Sequence, residues 1–222
     1  MATSRSPSGR TGRPPLTSRR QILAAARQLI DAHGWEKLSI RRLAAEMGIA
    51  PTTLYHHVKD KEDLLLLLLH EYADQMPRPE LPSEPRNRII AAAIAIHDAL
   101  KDWTWAAEIL TTDGFLARLS DSARWLVEAI VAGAIDSGCS PSRAVYVFRS
   151  IWYYTVGEIL VRAHSAGKQS FGNDSVPDGL SVSQLPRLAA IGDQWAPLAA
   201  QDTYAEGLRA FVDGLLAQVT TT

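Results

Sequence analysis

The chain is poor in cysteine and has no long hydrophobic run. Cys139 is the single cysteine among 222 residues, so no disulfide forms within the chain and a reducing compartment is expected. No uncharged apolar stretch reaches the ~20 residues of a membrane-spanning helix. None follows the N-terminal arginines as a secretory signal requires. These absences predict a cytoplasmic protein.

Motifs that carry catalysis or hold metal ions are also missing. The sequence contains no Gly-rich phosphate loop, no nucleophile elbow and no HExxH pair. His56 and His57 are adjacent, but neighbouring side chains on a helix diverge by about 100° and no third ligand is close in sequence. We therefore expect no enzyme, no cofactor and no metal site.

The alternation of apolar and polar residues that is typical of half-buried strands does not stand out either. Apolar residues instead recur at helical spacing in most segments of the chain. The fold class expected from this pattern is all-α.

The charges are distributed unevenly, although the net charge is only −1. Residues 1–62 carry eleven Lys and Arg against five Asp and Glu, a net charge of +6, whereas residues 63–222 carry a net charge of −7. A basic N-terminal segment on an acidic body is typical of a nucleic-acid-binding head. A basic disordered tail combined with chance would give the same balance, so the charge alone does not decide.

Composition divides the chain into four segments. Residues 1–17 predict a flexible basic arm, since Ser, Gly, Pro and Arg cannot bury enough apolar surface to fold. Residues 18–76 predict one helical domain, the proline-rich residues 77–85 a stiff linker, and residues 86–222 a second helical domain. Within the second domain, the Gly-, Ser- and Asp-rich stretch 165–183 predicts a long loop.

Start and stop signals predict short helices in the first helical domain. Ser18 begins a capping box with glutamine at the third helical position, and Gly34 ends the helix that follows. Ser39 is a suitable N-cap for a second helix, which Gly48 ends. Pro51 suits the first position of a third short helix.

The segment SIRRLAAEMGIAPTTLYHHVKDK, residues 39–61, has the layout of a DNA-binding helix pair. Two short helices joined through a glycine keep their apolar residues on a common core, so the second helix can enter a major groove about 12 Å wide. The outward side chains of this second helix should form hydrogen bonds, and the basic residues that flank it should contact phosphates. The candidate DNA-binding residues are Arg41, Thr52, Thr53, Tyr55, His56, His57, Lys59 and Lys61.

The stretch from about Ser18 to Leu69 resembles the DNA-binding head of the TetR (tetracycline-repressor-like) family of transcriptional regulators. The resemblance rests above all on TTLYHHVKDKEDLL, where the Leu-Tyr pair, the Val-Lys-Asp-Lys run and the following leucines stand at the family's spacing. The helix Trp103–Leu110, the segment GCSPSRAVYVFRSIWYYTVGEIL and the segment EGLRAFVDGL are similar to the body of the family's tetracycline-binding members. The resemblance implies a three-helix helix-turn-helix head and a larger helical ligand-binding and dimerisation domain, about nine to ten helices in all.

The resemblance also implies partners. The chain would form a homodimer in which helices near residues 140–164 and 203–219 pair with their mates, and it would repress from a palindromic operator in double-stranded DNA. A small-molecule effector would release it. Of the candidates above, Arg41 and the two threonines would reach bases. Tyr55, His57 and Lys61 would hold phosphates, and His56 would contact the backbone or thymine methyl groups.

Four positions depart from the family's pattern. Ala50 stands where many members have a capping hydroxyl, a loss of about 1 kcal/mol of helix stability. Pro51 and Thr52 replace a Gln-Pro pair, so the operator preference of the tetracycline-binding members does not transfer. Ile109 aligns with their metal-binding histidine, so a magnesium–tetracycline complex is not the expected ligand.

The second domain is rich in aromatic residues with a few polar ones among them, which favours a flat or hydrophobic ligand. The candidate ligand-binding residues are His97, Trp103, Trp105, Glu108, Trp125, Phe148, Arg149, Trp152 and Tyr153. The same residues would also serve as core or dimer contacts.

Three hypotheses therefore remain. The first is a repressor that a ligand releases. The second is an architectural or partner-recruiting DNA-binding protein, or an activator, without an effector. The third, a small-molecule carrier or enzyme, needs a catalytic cluster that the sequence does not contain.

Overall fold

The computed structural model describes residues 17–76, 78–112, 114–166 and 184–218. Within these ranges the chain is all helical and contains no strand, which confirms the predicted fold class. The predicted arm, apart from residue 17, and most of the predicted loop at 165–183 lie outside the described residues. Tertiary contacts divide the chain between Leu68 and Leu69 into two compact units, which we name the head and the body.

The head contains the predicted succession of short helices. They are α1 (Arg19–His33), α2 (Ile40–Glu46), α3 (Pro51–Tyr55) and the first part of α4 (Lys61–Gln75). The capping box at α1 is formed: Ser18 Oγ accepts from the Gln21 amide at 3.3 Å, and Gln21 Oε1 accepts from the Ser18 amide at 2.9 Å. Two otherwise unpaired amides at the helix start are thereby satisfied.

The connection between α2 and α3 follows the predicted residues. Ser39 Oγ accepts from the Arg42 amide at 3.2 Å and begins α2. Gly48 has φ +64°, a conformation in which other L-residues are strained. Pro51 occupies the first turn of α3, and no side chain caps this helix at Ala50. Because α3 has only five residues, tertiary packing and not its own hydrogen bonds must hold it in place.

The leucine run of α4 is buried on more than one side. Five of its six leucines are at most 7% exposed, as expected for a helix segment that is apolar all round. The division between head and body falls inside this helix, whereas the composition alone suggested a linker at residues 77–85.

The body consists of longer helices with short ones between them. Their bounds are α5 (Pro85–Leu100), α6 (Thr104–Ile109), α7 (Phe115–Arg118), α8 (Asp121–Asp136), α9 (Pro141–Ala166), α10 (Pro186–Ile191), α11 (Trp195–Ala199) and α12 (Tyr204–Ala217). Helix α5 packs against α8, α9 and α12, and α8 also packs against α9. The centre of this core is fully buried and aliphatic: Ile89, Ile130, Val147, Ile151, Leu208 and Val212. Among the described residues, no helix has both the length and the apolar character needed to cross a membrane.

Helices α5 and α8 approach each other closely at Gly133. A Cβ at this position would lie 2.6 Å from Ile89 Cγ1 and 2.9 Å from the Pro85 carbonyl oxygen. Backbone and a buried side chain therefore leave no room for a methyl group, and the glycine sets the distance between the two helices.

We expect Gly133→Ala to lower the free energy of unfolding by up to about 2 kcal/mol. The steric cost of overpacking, about 1–3 kcal/mol, should exceed the gain of about 1 kcal/mol in helix propensity. Urea unfolding measures the change. The double variant with Ile89→Ala should lose less than the sum of the two single losses, since truncation of Ile89 makes space for the methyl group. Strict additivity would contradict the close approach.

Candidate DNA interface and ligand cavities

Helix α3 presents a polar face to solvent and an apolar face to the head. Leu54 and Val58 are buried and anchor the helix and the turn after it. On the opposite side, Thr52, Tyr55 and both following histidines are exposed, and Thr53 is half-buried. The residues predicted to point outward from the recognition helix therefore lie at the surface.

The basic residues that are predicted to contact DNA precede and follow α3 in the sequence. Arg41 is exposed in the first turn of α2, and Lys59 is exposed in the turn before α4. The Lys59 amide donates to Asp63 Oδ2 at 2.9 Å, and the Asp63 amide donates to Asp60 Oδ1 at 2.8 Å. These two hydrogen bonds fix the backbone at the start of α4, while the Lys59 side chain is exposed to solvent.

Lys61 makes a contact within the head that the sequence did not predict. Its ammonium lies 4.8 Å from the centre of the Trp35 ring and donates to the Glu36 carbonyl oxygen at 3.2 Å. Burial lowers the pKa of Lys61, and the nearby charge of Glu36 partly offsets that effect. Lys61 thus ties the start of α4 to the turn after α1. An ammonium has three donors, so this bond is compatible with a phosphate contact.

The body contains an apolar cavity of about 70 Å³, partly open to solvent, which we name the inner cavity. Among the described residues that line it, none is charged, and Tyr72 and Ser122 carry the hydroxyl groups. Its aromatic walls are Phe115, Trp125, Phe148 and Trp152. Such a surface accepts apolar and aromatic groups but offers nothing to neutralise a charge.

A second cavity of about 290 Å³, the outer cavity, lies next to the inner one. Both are lined by Phe115, Val127, Phe148 and Trp152, so these four side chains form the wall between them. Thr111, Thr112, Arg149 and Tyr153 add polar groups to the outer cavity.

The predicted ligand-binding residues separate into three groups. Trp125, Phe148 and Trp152 line the inner cavity, and Arg149 and Tyr153 line the outer one. Trp103, Trp105 and Glu108 are not among the side chains that line either cavity. Trp103 instead stacks between Tyr72 and Trp105, at ring-centre distances of 4.2 and 5.4 Å.

His97 belongs to a polar cluster outside both cavities. Its Nε2 lies 2.8 Å from Glu158 Oε2, and its ring stacks on Tyr204 at 3.9 Å. The Tyr204 hydroxyl lies 2.8 Å from Thr155 Oγ1. Burial raises the pKa of Tyr204 despite the opposing hydrogen bond with Thr155. The cluster connects α5, α9 and the start of α12, and His97 and Glu158 also line a third, polar cavity of about 230 Å³.

The contribution of α4 to the inner cavity was not predicted from the sequence. Leu69, Tyr72, Ala73 and Met76 line it. Their spacing of i, i+3, i+4 and i+7 places them on one face of a helix, and this pattern could have indicated from the sequence that the face is buried or binds a ligand. Phe115 was missed because a helix of four residues shows no periodicity.

Comparison with known proteins agrees with this architecture. Residues 22–68 match the family model described as bacterial regulatory proteins, tetR family. The transcriptional repressor AcnR of Corynebacterium efficiens is 31% identical over 183 residues, which cover 78% of this chain and 95% of that protein. The class A tetracycline repressor from transposon 1721 of Escherichia coli is 26% identical over 202 residues, which cover 87% of this chain and 88% of that protein.

The solved structures include the TetR-family protein ActR of Streptomyces coelicolor in complex with (S)-DNPA. It superposes with a TM-score of 0.69 at 22% identity, covering 91% of this chain and 98% of that one. This likeness supports the fold, and the identity to AcnR over nearly the whole of that repressor supports the family. The chain belongs to the tetR family of bacterial regulatory proteins, which are DNA-binding transcriptional regulators and not enzymes.

Proposed function

We propose that the chain is a cytoplasmic, homodimeric repressor that leaves its operator when a small, largely apolar aromatic molecule occupies the body. The observation that carries the proposal is the combination of two features in one chain. The head presents a polar, exposed α3, and the body contains an aromatic cavity. Helix α4 begins in the head, and its final turns line that cavity.

The head supplies both kinds of contact that operator recognition needs. Arg41, Thr52 and Thr53 are assigned to base edges, because arginine and hydroxyl side chains hydrogen-bond there. Tyr55, His56, His57, Lys59 and Lys61 are assigned to the sugar-phosphate backbone, where contacts position the protein without specifying sequence. The surface exposure of α3 and of Lys59 supports these assignments.

The body offers a surface for a second copy of the chain. Helix α9 exposes Tyr146, Tyr153 and Val161 on one side, although most of its other large apolar residues are buried or half-buried. Helix α12 packs beside it and exposes the small residues Ala210 and Gly214. Apolar and small side chains on two adjacent helices suit a four-helix bundle formed by two copies.

The volume of the inner cavity explains how a ligand would act on DNA binding. About 70 Å³ is far below the roughly 300–1,000 Å³ of sites for drug-sized ligands. A ligand must therefore displace wall residues, and Tyr72 and Met76 are wall residues on α4. A ligand shifts an equilibrium only by its difference in affinity for two conformations. A ligand that binds only when the α4 side chains are displaced has a higher affinity for that conformation, so it would shift the equilibrium toward it.

Operator binding tests the head assignments. We expect Lys59→Gln to weaken binding to operator and random DNA equally. The slope of log affinity against log salt should fall by about 1.8, because the change removes one phosphate contact from each of the two copies. Thr53→Ala should mainly reduce the ratio of operator to random binding, by at least about thirtyfold, since each of the two lost base contacts contributes about 1–3 kcal/mol of discrimination.

Fluorescence anisotropy with labelled duplexes at several salt concentrations measures both effects. Arg187→Gln is the matched control, because it removes one exposed positive charge from α10 in the body. It should leave the slope and the ratio unchanged. Affinity that does not depend on salt would exclude the head as the DNA-binding unit.

A second candidate function is favoured by the same small volume. A regulator without an effector would keep a closed, packed body and would act through partner proteins or through DNA architecture. If the chain has this second function, no compound should change its affinity for the operator. Release of the operator by an aromatic compound would exclude it.

A further inference from the structure

The inner cavity combines an apolar wall with two hydroxyl groups that have no hydrogen-bond partner among the described residues. Tyr72 of α4 and Ser122 of α8 line the cavity. Neither hydroxyl is hydrogen-bonded to any other group in the described part of the chain. A tyrosine hydroxyl in largely apolar surroundings usually has a partner. The two hydroxyls are therefore available to a polar group of a ligand.

The ring of Tyr72 is held in place by an aromatic neighbour. It packs against Trp103, with ring centres 4.2 Å apart and an interplanar angle of 36°. This contact uses the ring and leaves the hydroxyl unpaired. A phenolic O–H is more acidic than an aliphatic one, so it is the better donor to a carbonyl oxygen. Of the two hydroxyls, that of Tyr72 is therefore the stronger candidate to bind an acceptor.

The lining of the inner cavity also determines the charge of the ligand. None of the described residues that line it is charged. Transfer of a carboxylate or an ammonium from water to such a surface is costly, because no partner replaces the lost hydration. A neutral carbonyl group needs only a hydrogen-bond donor. The side chains of Phe115, Trp125 and Trp152 provide faces on which aromatic rings can pack.

We propose that the inner cavity binds an uncharged, planar aromatic carbonyl compound whose oxygen accepts a hydrogen bond from the Tyr72 hydroxyl. This inference rests on the proposed effector function and gives the chemical class of the effector. Tyr72 belongs to α4, which begins in the head and lines the cavity with its final turns. The hydrogen bond would therefore hold the ligand to the helix that the proposed release requires.

A matched set of tricyclic compounds provides the probes. Fluorenone carries a carbonyl group, fluorene has the same ring skeleton without the oxygen, and fluorenone-2-carboxylate adds a negative charge. Quenching of the intrinsic tryptophan fluorescence of the full-length chain, without DNA, measures the three affinities, since Trp125 and Trp152 line the cavity.

We expect Tyr72→Phe to lower the ratio of fluorenone affinity to fluorene affinity by about threefold to tenfold, as for the loss of one hydrogen bond. Phenylalanine keeps the ring that packs against Trp103, so the affinity for fluorene should change less than about twofold. Because both affinities are measured on the same variant, a general effect on folding cancels in the ratio.

Tyr146→Phe is the matched control. It removes the hydroxyl of an α9 tyrosine that is not among the described residues lining either cavity, and it should leave the ratio unchanged. An unchanged ratio in Tyr72→Phe would overturn the role of Tyr72. A lower ratio in Ser122→Ala but not in Tyr72→Phe would overturn it as well, because the oxygen would then lie at Ser122.

The charged probe tests the class of ligand. Fluorenone-2-carboxylate should bind the wild-type chain at least about tenfold more weakly than fluorenone, because its carboxylate loses hydration without gaining a partner. Equal or tighter binding of the carboxylate would overturn the preference for an uncharged molecule.

These measurements contain no DNA, so they separate the site from its consequence. If the probes behave as expected but operator affinity does not respond to fluorenone, the carbonyl-binding site stands and effector-driven release by this class fails. If other compounds release the operator while the ratio does not depend on Tyr72, release stands and the carbonyl-binding site fails.

Discussion

Replacing Leu54 with alanine is expected to lower the free energy of unfolding by about 3–5 kcal/mol and to abolish operator binding. Leu54 is 0% exposed and is the buried anchor of α3. Truncation removes its transfer free energy and leaves a cavity that five helical residues cannot refill. The Leu54 carbonyl also accepts from the His57 and Val58 amides, at 2.8 and 3.0 Å. Its displacement would therefore disturb the turn that carries the histidines.

Urea unfolding and DNA anisotropy measure the two parts of this prediction. Thr52→Ala is the matched control for stability, because Thr52 is an exposed residue of the same helix. It should change the free energy of unfolding by less than about 0.5 kcal/mol. A Leu54→Ala variant that keeps its stability but loses operator affinity would mean that Leu54 contacts DNA and not the core of the head.

Replacing Val161 with glutamate is expected to raise the dissociation constant of the dimer at least about a hundredfold, about 2.7 kcal/mol. Val161 is 66% exposed in the single chain and lies on the α9 face proposed for the second copy. Burying a carboxylate against an apolar surface without a partner costs several kcal/mol. Operator affinity should fall as well, because two linked heads bind a palindrome far more tightly than one.

Sedimentation velocity over a range of protein concentrations measures this change. Ile135→Glu is the matched control, since Ile135 is 44% exposed and belongs to α8, a helix that is not part of the proposed dimer surface. It should leave the dimer intact. A Val161→Glu variant that sediments as wild type does, at every concentration, would require a different dimer surface.

The helix boundaries of the head could be predicted because their causes are local. The capping box at Ser18, the N-cap at Ser39 and the positive φ of Gly48 depend on residues no more than four positions apart. The body helices expected at residues 103–110, 140–164 and 203–219 agree with α6, α9 and α12 within two residues. The same reasoning missed α7, α10 and α11, because helices of four to six residues contain too few turns to show a periodic pattern.

The ligand-site predictions depended on the identity of the aromatic residues, which is a weaker guide. Trp125, Phe148 and Trp152 face a cavity, but Trp105 is buried in packing and His97 is bonded to Glu158. Burial makes a core tryptophan and a ligand-binding tryptophan look alike in sequence. Only the positions of the surrounding helices distinguish them.

By itself the sequence determined the all-α fold and the helix-turn-helix at residues 39–61, because hydrophobic spacing and capping act over a few residues. Its resemblance to known sequences indicated the family. The tertiary structure decided what the distant residues do together. It brought Lys61 onto Trp35, made the last turns of α4 a wall of the inner cavity, and stacked Phe115 on Trp152 between two cavities. Each of these contacts joins residues that lie apart in the chain, so the packing of helices, and no local pattern, determines them.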